Sequence, residues 1–204
     1  MAYDRKLIAG KLLRWENYMK DYKLPDWNEI PDLGLYMEQV IDYIKTYLDY
    51  IPPELDYDLS LTPSTINNYV RKKIMPIPIN KRYYRVHLVF LLMILTMKQS
   101  INISSISKLI PVDMASEDLK RKYSAYRKEH EKMTKLFVRE IRIDAEPILN
   151  EQKNEKNVAF KTEDLIFGNI IIGGYTKLLA ERLLLLEGKD VSNGGSIEIR
   201  QRNS

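Results

Sequence analysis

Proline cuts this chain into helix-length pieces, and that punctuation constrains the fold more than any other feature. Pro25, Pro52-Pro53, Pro63, Pro76, Pro78 and Pro111 fall between runs whose apolar residues recur at steps of three and four. Such spacing marks amphipathic helices, and a proline inside a helix both removes a hydrogen bond and clashes with the preceding turn. An all-α fold follows, broken at the prolines.

Residues 3–22 carry Leu7, Ile8, Leu12, Trp15, Met19 and Tyr22 at helical spacing, and Leu24-Pro25 ends the run. A linker with Trp27, Pro31 and the turn residues Asp26 and Asp32 leads to a second helix from Leu33 to Tyr50. A polar, acidic loop follows Pro52-Pro53. Thr62-Pro63 then starts a short helix over 62–74, because a threonine hydroxyl caps free amides and proline at the first position loses no bond. The stretch Met75-Pro76-Ile77-Pro78-Ile79 cannot be helical and reads as an extended hairpin or wing. An apolar helix over 85–99 and a short one over 103–110 close this block.

Beyond Pro111 a long polar helix runs from Ser116 to the Pro147 region. Its residues Leu119, Tyr123, Tyr126, His130, Met133, Phe137 and Ile141 form the seam pattern of helix pairing. A charged linker over 150–157 precedes a very apolar helix, 163–187, capped by Thr162. Lys177, Glu181 and Arg182 interrupt that helix, leaving an apolar run too short for the roughly 20 residues of a membrane span. It reads as a buried or dimer helix in which Gly173-Gly174 permits close approach. Residues 188–204 read as a disordered tail.

Charge is distributed unevenly. Residues 1–58 hold 7 basic and 12 acidic side chains, and residues 113–204 hold 17 and 16. Between Asp58 and Asp113 there is no acid, only Arg71, Lys72, Lys73, Lys81, Arg82, Arg85, Lys98 and Lys108. An acid-free basic block suits contact with a polyanion, since each cation near a phosphate releases condensed counterions; a solvated edge of an apolar block is the plainer alternative. Within it, the outer face of the 62–74 helix presents Ser64, Thr65, Asn67, Asn68, Arg71 and Lys72. Asparagine can pair bidentately with adenine, and Arg71 can reach guanine or phosphate. Tyr83-Tyr84, between Lys81-Arg82 and Arg85, either grips phosphate or packs the wing onto the core.

Enzymatic patterns are lacking. The chain has no cysteine, which removes disulfides, thiolate sites and thiol nucleophiles and suits a reducing cytoplasm. His87 and His130 share no ligand or triad spacing, and no phosphate loop, dinucleotide fingerprint or HExxH pair occurs. No cofactor, metal, membrane or secretory signal is expected.

The order of elements in 62–110 resembles the winged helix-turn-helix head of MerR-type transcription regulators. Thr65-Ile66-Asn67-Asn68-Tyr69-Val70-Arg71-Lys72-Lys73-Ile74 resembles their recognition helix. Pro76 and Pro78 stand at the wing entry, Lys81-Arg82-Tyr83 on the wing, Leu88, Leu91 and Ile94 on the next helix, and Ile103-Ser104-Ser105-Ile106 at the closing turn. More closely, the segment from Leu24-Pro25-Asp26-Trp27 through Leu35-Tyr36-Met37-Glu38-Gln39-Val40, with the following LTPSTINNYVRKK, is similar to the bacterial domain of unknown function 1836 family.

The resemblance implies an all-α protein with a small β wing. Its parts are an N-terminal helix at 1–23, a MerR-like domain at 24–111, a helical C-terminal dimerisation or effector region at 112–187 and the tail. It also implies a dimeric regulator of double-stranded DNA. Asn67, Asn68 and Arg71 then approach bases, while Ser64, Thr65, Lys72, Lys81, Arg82, Tyr83 and Arg85 lie along phosphates. The alternative is a helical protein-interaction or ligand-sensing module that keeps the fold without DNA contact, with the outer face of the 62–74 helix covered by a partner or by another part of the chain.

Overall fold

The computed structural model describes residues 3–50, 61–150, 155–190 and 192. Their elements are seven helices: α1 (Arg5–Asp21), α2 (Met37–Leu48), α3 (Pro63–Arg71), α4 (Arg85–Met97), α5 (Ile103–Leu109), α6 (Ser116–Asn150) and α7 (Glu155–Leu184). The acidic loop after Pro52-Pro53 and most of the expected tail lie outside the described residues. Among the described residues the expected β wing amounts to two isolated antiparallel pairs, Ile79 with Arg82 and Leu35 with Tyr83, and there is no strand.

Local signals explain where the helices start. Asp4 caps α1 by accepting from the Leu7 amide at 2.7 Å, Thr62 caps α3 by accepting from Thr65, and Asn102 caps α5 by accepting from Ser105. Each satisfies a first-turn donor that the helix cannot satisfy itself. His87 serves α4 in the same way: its Nδ1 accepts from the Tyr84 amide at 2.9 Å. The ring proton is thereby placed on Nε2, which donates to the Ile77 carbonyl at 3.1 Å and ties the wing to the helix start.

The fold is organised around α4. Every residue from His87 to Thr96 is buried, so this helix is enclosed on all sides. α2, α5 and α6 pack against it, and α3 packs on α2. Contacts between α1 and α6 run antiparallel: Arg5 donates to the carbonyls of Ile148 and Leu149, Glu16 pairs with Arg142 at 2.7 Å, and Tyr22 meets the His130 ring.

Much of the α6 seam is therefore covered within the chain, although Met133 and Phe137 stay 41% and 37% exposed. Leu119 and Tyr123 are buried, Tyr126 donates to Thr96 of α4, and Phe137 meets Trp15 of α1 edge-on at 5.2 Å. The linker expected between α1 and α2 is also core, with Leu24, Trp27 and Ile30 buried and a single 3₁₀ turn over Trp27–Glu29. The Tyr123 hydroxyl donates to the Pro25 carbonyl at 2.8 Å, and Arg127 donates to the Leu24 carbonyl at 3.1 Å. The buried cluster runs from Met19 to Tyr123 and crosses both expected boundaries, at 23/24 and 111/112.

Two expectations for α7 are corrected. The helix starts by Glu155, inside the stretch read as a linker, because Glu and Lys are good helix formers even without an apolar period. Thr162 is accordingly buried inside the helix and does not cap it.

His130 couples this packing to pH. Its ring lies between Tyr22 and Tyr126, its Nδ1 is buried without a hydrogen-bond partner among the described residues, and burial holds its pKa below the usual imidazole range. The unfolded chain therefore binds this proton at higher pH than the folded one. The His130 contribution is fully present above about pH 6.5 and declines as pH falls below it. Chemical denaturation between neutral and mildly acidic pH should show stability falling with pH, and His130→Phe should flatten that slope.

Candidate nucleic-acid interface

α3 turns its apolar face inward and its polar face out because Ile66 and Tyr69 fall three residues apart on one side. Both are buried; Ser64, Asn67, Arg71 and Lys72 are exposed, while Thr65 and Asn68 are half-buried. Arg71 donates to Asn68 Oδ1 at 3.0 Å, one turn back, which holds the guanidinium against the amide.

The helix ends in a Schellman turn. Lys73 donates to Val70 at 3.0 Å and Ile74 to Tyr69 at 2.8 Å, with Lys73 at φ 55° where glycine is the usual occupant. A lysine held there keeps a cation at the helix end at a conformational cost of about 1 kcal/mol.

The outer face of α3 opens on a groove of about 790 Å³. Thr62, Ser64, Asn67, Asn68, Arg71 and Lys72 line one side, with Lys98 and Ile103 also lining the groove. Among the described residues, no acidic side chain lines it. Lys98 ends α4, so the fold brings it to Arg71 and Lys72 from a distant part of the chain. It was not among the residues expected at the site, although it belongs to the acid-free block.

The wing hairpin is tight. Ile79 and Arg82 exchange backbone hydrogen bonds at 3.0 and 2.9 Å across Asn80 and Lys81, with φ 49° and 61°. Two left-handed residues in a two-residue loop form the primed turn that matches strand twist. Lys81 is exposed at its tip, beside the exposed Ile77 and Ile79.

The other three wing residues expected on phosphates serve the scaffold. Tyr83 is 3% exposed, and its backbone pairs with Leu35; this corrects the expectation that it grips phosphate. The Arg82 guanidinium lies 3.3 Å over the Tyr36 ring, donates to the Tyr36 hydroxyl and donates to the Gly34 carbonyl at 3.2 Å. Gly34 permits this approach, since a Cβ there would lie 3.0 Å from the Arg82 Cβ. Arg85 donates to the Ile30 carbonyl at 2.8 Å and faces the Asp32 carboxylate at 3.8 Å. These side chains dock the wing and α4 on the Trp27–Leu35 segment. The exposed cations left in the acid-free block are Arg71, Lys72, Lys73, Lys81 and, away from the groove lining, Lys108, with Lys98 half-buried in the groove.

Residues 25–130 match the family described as domain of unknown function (DUF1836). The chain belongs to the DUF1836 family. The DUF1836 region covers just over half of the chain, from the Trp27 segment through α2–α5 into α6, and so contains the whole groove and the wing. No curated protein and no solved structure matches the chain.

The strained lysine gives a direct test of this partition between scaffold and site. Lys73→Gly should raise the free energy of unfolding by about 1 kcal/mol in denaturant titrations, because glycine takes positive φ without penalty. Tyr83→Ala should lower it by about 3–5 kcal/mol, the usual cost of truncating a buried aromatic, while Lys81→Ala should leave it within about 0.5 kcal/mol.

Proposed function

We propose that this DUF1836 protein is a dimeric DNA-binding transcription regulator whose head, residues 24–111, works as a MerR-like winged helix-turn-helix. α3 is the recognition helix and the Ile79–Arg82 hairpin is the wing. The observation that carries the reading is the outer face of α3: two amides, two hydroxyls and two cations, exposed or half-exposed among the described residues, on a groove whose described lining holds no acid.

Each residue then has a role set by its chemistry. Asn67 and Asn68 offer the paired donor and acceptor that an adenine edge requires. Arg71, released from Asn68 Oδ1, reaches a guanine or a phosphate. Ser64, Thr65, Lys72 and Lys98 fix register on the backbone, and Lys81 adds a contact from the wing. Arg82 and Arg85 set the angle of the wing and do not touch DNA. Because a small head alone buries little surface, two heads on a two-fold axis would read an inverted repeat. The second reading, a protein-interaction module, would instead place a partner on this α3 face.

Fluorescence-polarisation titrations of duplex DNA at several salt concentrations test the reading. Affinity should fall steeply with salt, and Arg71→Ala with Lys72→Ala should weaken binding and reduce the log–log slope by about 2. Asn67→Ala should relax sequence preference and leave the slope unchanged. Absence of binding at low salt, or unchanged affinity in the double variant, would overturn it.

A further inference from the structure

α7 carries more exposed apolar surface than a lone helix keeps in water. Phe167, Ile171, Ile172, Tyr175, Leu178 and Leu179 are each 53–67% exposed. The helix packs on α6, and the residues it covers or half-covers are Thr162, Glu163, Leu165, Glu181 and Leu184. At roughly 3.6 residues per turn these five fall on one side.

The opposite side reads Asp164, Gly168, Ile171, Tyr175, Leu178 and Arg182. Those six positions are spaced 4-3-4-3-4, the seam of a two-helix coil. The spacing is its own mirror image about Gly173. Reversing a second copy therefore sets Asp164 opposite Arg182, Gly168 opposite Leu178 and Ile171 opposite Tyr175, each pair made twice.

The side chains suit that register. An acid meets a base at both ends, and a leucine meets a glycine beside which a Cβ would find nothing within 4 Å. A parallel pair would instead stack Asp164 on Asp164, Arg182 on Arg182 and like helix dipoles side by side. At roughly 100 Å² apiece, the six exposed apolar side chains supply about 600 Å² of the roughly 800 Å² per partner that a stable interface buries. Leu183 and Leu186, also exposed, lie toward its edges, while the exposed Ile170 falls on the α6-facing side.

A lipid surface fits less well. From Lys161 to Leu184 the helix has three basic and three acidic residues and no cationic face to meet anionic headgroups, and no described helix is long and apolar enough to cross a membrane.

We propose that the outer face of α7 binds the same face of a second copy of this chain, antiparallel and centred on Gly173, with reciprocal Asp164–Arg182 ion pairs. This rests on the dimer part of the functional reading and is independent of DNA contact. It also assigns pairing to α7 and not to the α6 seam, much of which α1 and α4 of the same chain cover.

The chain has no cysteine, so engineered thiols report the register without background. Full-length Asp164→Cys and Arg182→Cys chains, mixed and oxidised, should cross-link as heterodimers. Neither should cross-link alone, because equivalent residues lie about 27 Å apart along antiparallel helices. Wild-type protein should sediment as a dimer at micromolar concentration, and Leu178→Asp, on the exposed face, should sediment as a monomer with unchanged far-UV circular dichroism. A wild-type monomer, whether free or bound to added vesicles, overturns both the dimer and this interface. A dimer that cross-links through Asp164→Cys alone, or that fails to cross-link in the mixture, overturns this interface only. Loss of DNA binding in a correctly cross-linked dimer counts against the DNA reading alone.

Discussion

Enclosure of α4 is the constraint on which the rest of the structure depends. Ten consecutive residues, from His87 to Thr96, have no solvent-facing side, and a helix apolar all round is stable in water only when other elements surround it. α2, α5 and α6 meet that demand directly. The segment from Leu24 to Ile30 closes the remaining space, held by Tyr123 and Arg127 from α6 and by Arg85 at the start of α4. With the apolar side chains gathered on this axis, the cations of the same stretch can only lie at its rim, at the end of α3, the wing tip and the end of α4. The acid-free groove is thus a by-product of how the core is enclosed. Among its described lining residues the charged groups are Arg71, Lys72 and Lys98, all cations.

Much of this architecture was legible in the sequence, since helix boundaries follow local rules. Thr62-Pro63 starts α3 as a capped proline start should, and the two prolines after Met75 keep the next residues out of helix. The outer face of α3 could be read from the spacing of Ile66 and Tyr69. What the sequence did not reveal depends on residues brought together from afar. The Leu24–Leu33 stretch looks like a linker because its prolines and aspartates mark turns. Yet Leu24, Trp27 and Ile30 recur every third residue and are all buried in the core. Tyr83 could be read as either a phosphate contact or a wing anchor, and its pairing with Leu35 decides for the anchor. Arg82 and Arg85 count as free cations in a charge tally, but Tyr36, Gly34, Ile30 and Asp32 hold them. Lys98 went unassigned because only the end of α4 brings it to the groove.

The two long helices show a related effect. The α6 seam has the periodicity of a pairing helix, but periodicity does not say which helix answers it. α1 and α4 of the same chain do so, through Trp15, Tyr22 and Thr96. α7 lacks a polar face and meets α6 on one side only, so its outer apolar surface is left over once the chain has folded. On the proposed reading the labour divides: the α2–α6 core carries the cationic groove, and α7 supplies the surface through which two copies would be joined.

The central claim is that the exposed face of α3 reads duplex DNA, and selection from a randomised duplex pool tests it most directly. Full-length protein should enrich an inverted repeat whose half-sites change or vanish when Asn67, Asn68 and Arg71 are replaced by alanine. A recovered pool as random as the input, or the same motif from the triple variant, would contradict it.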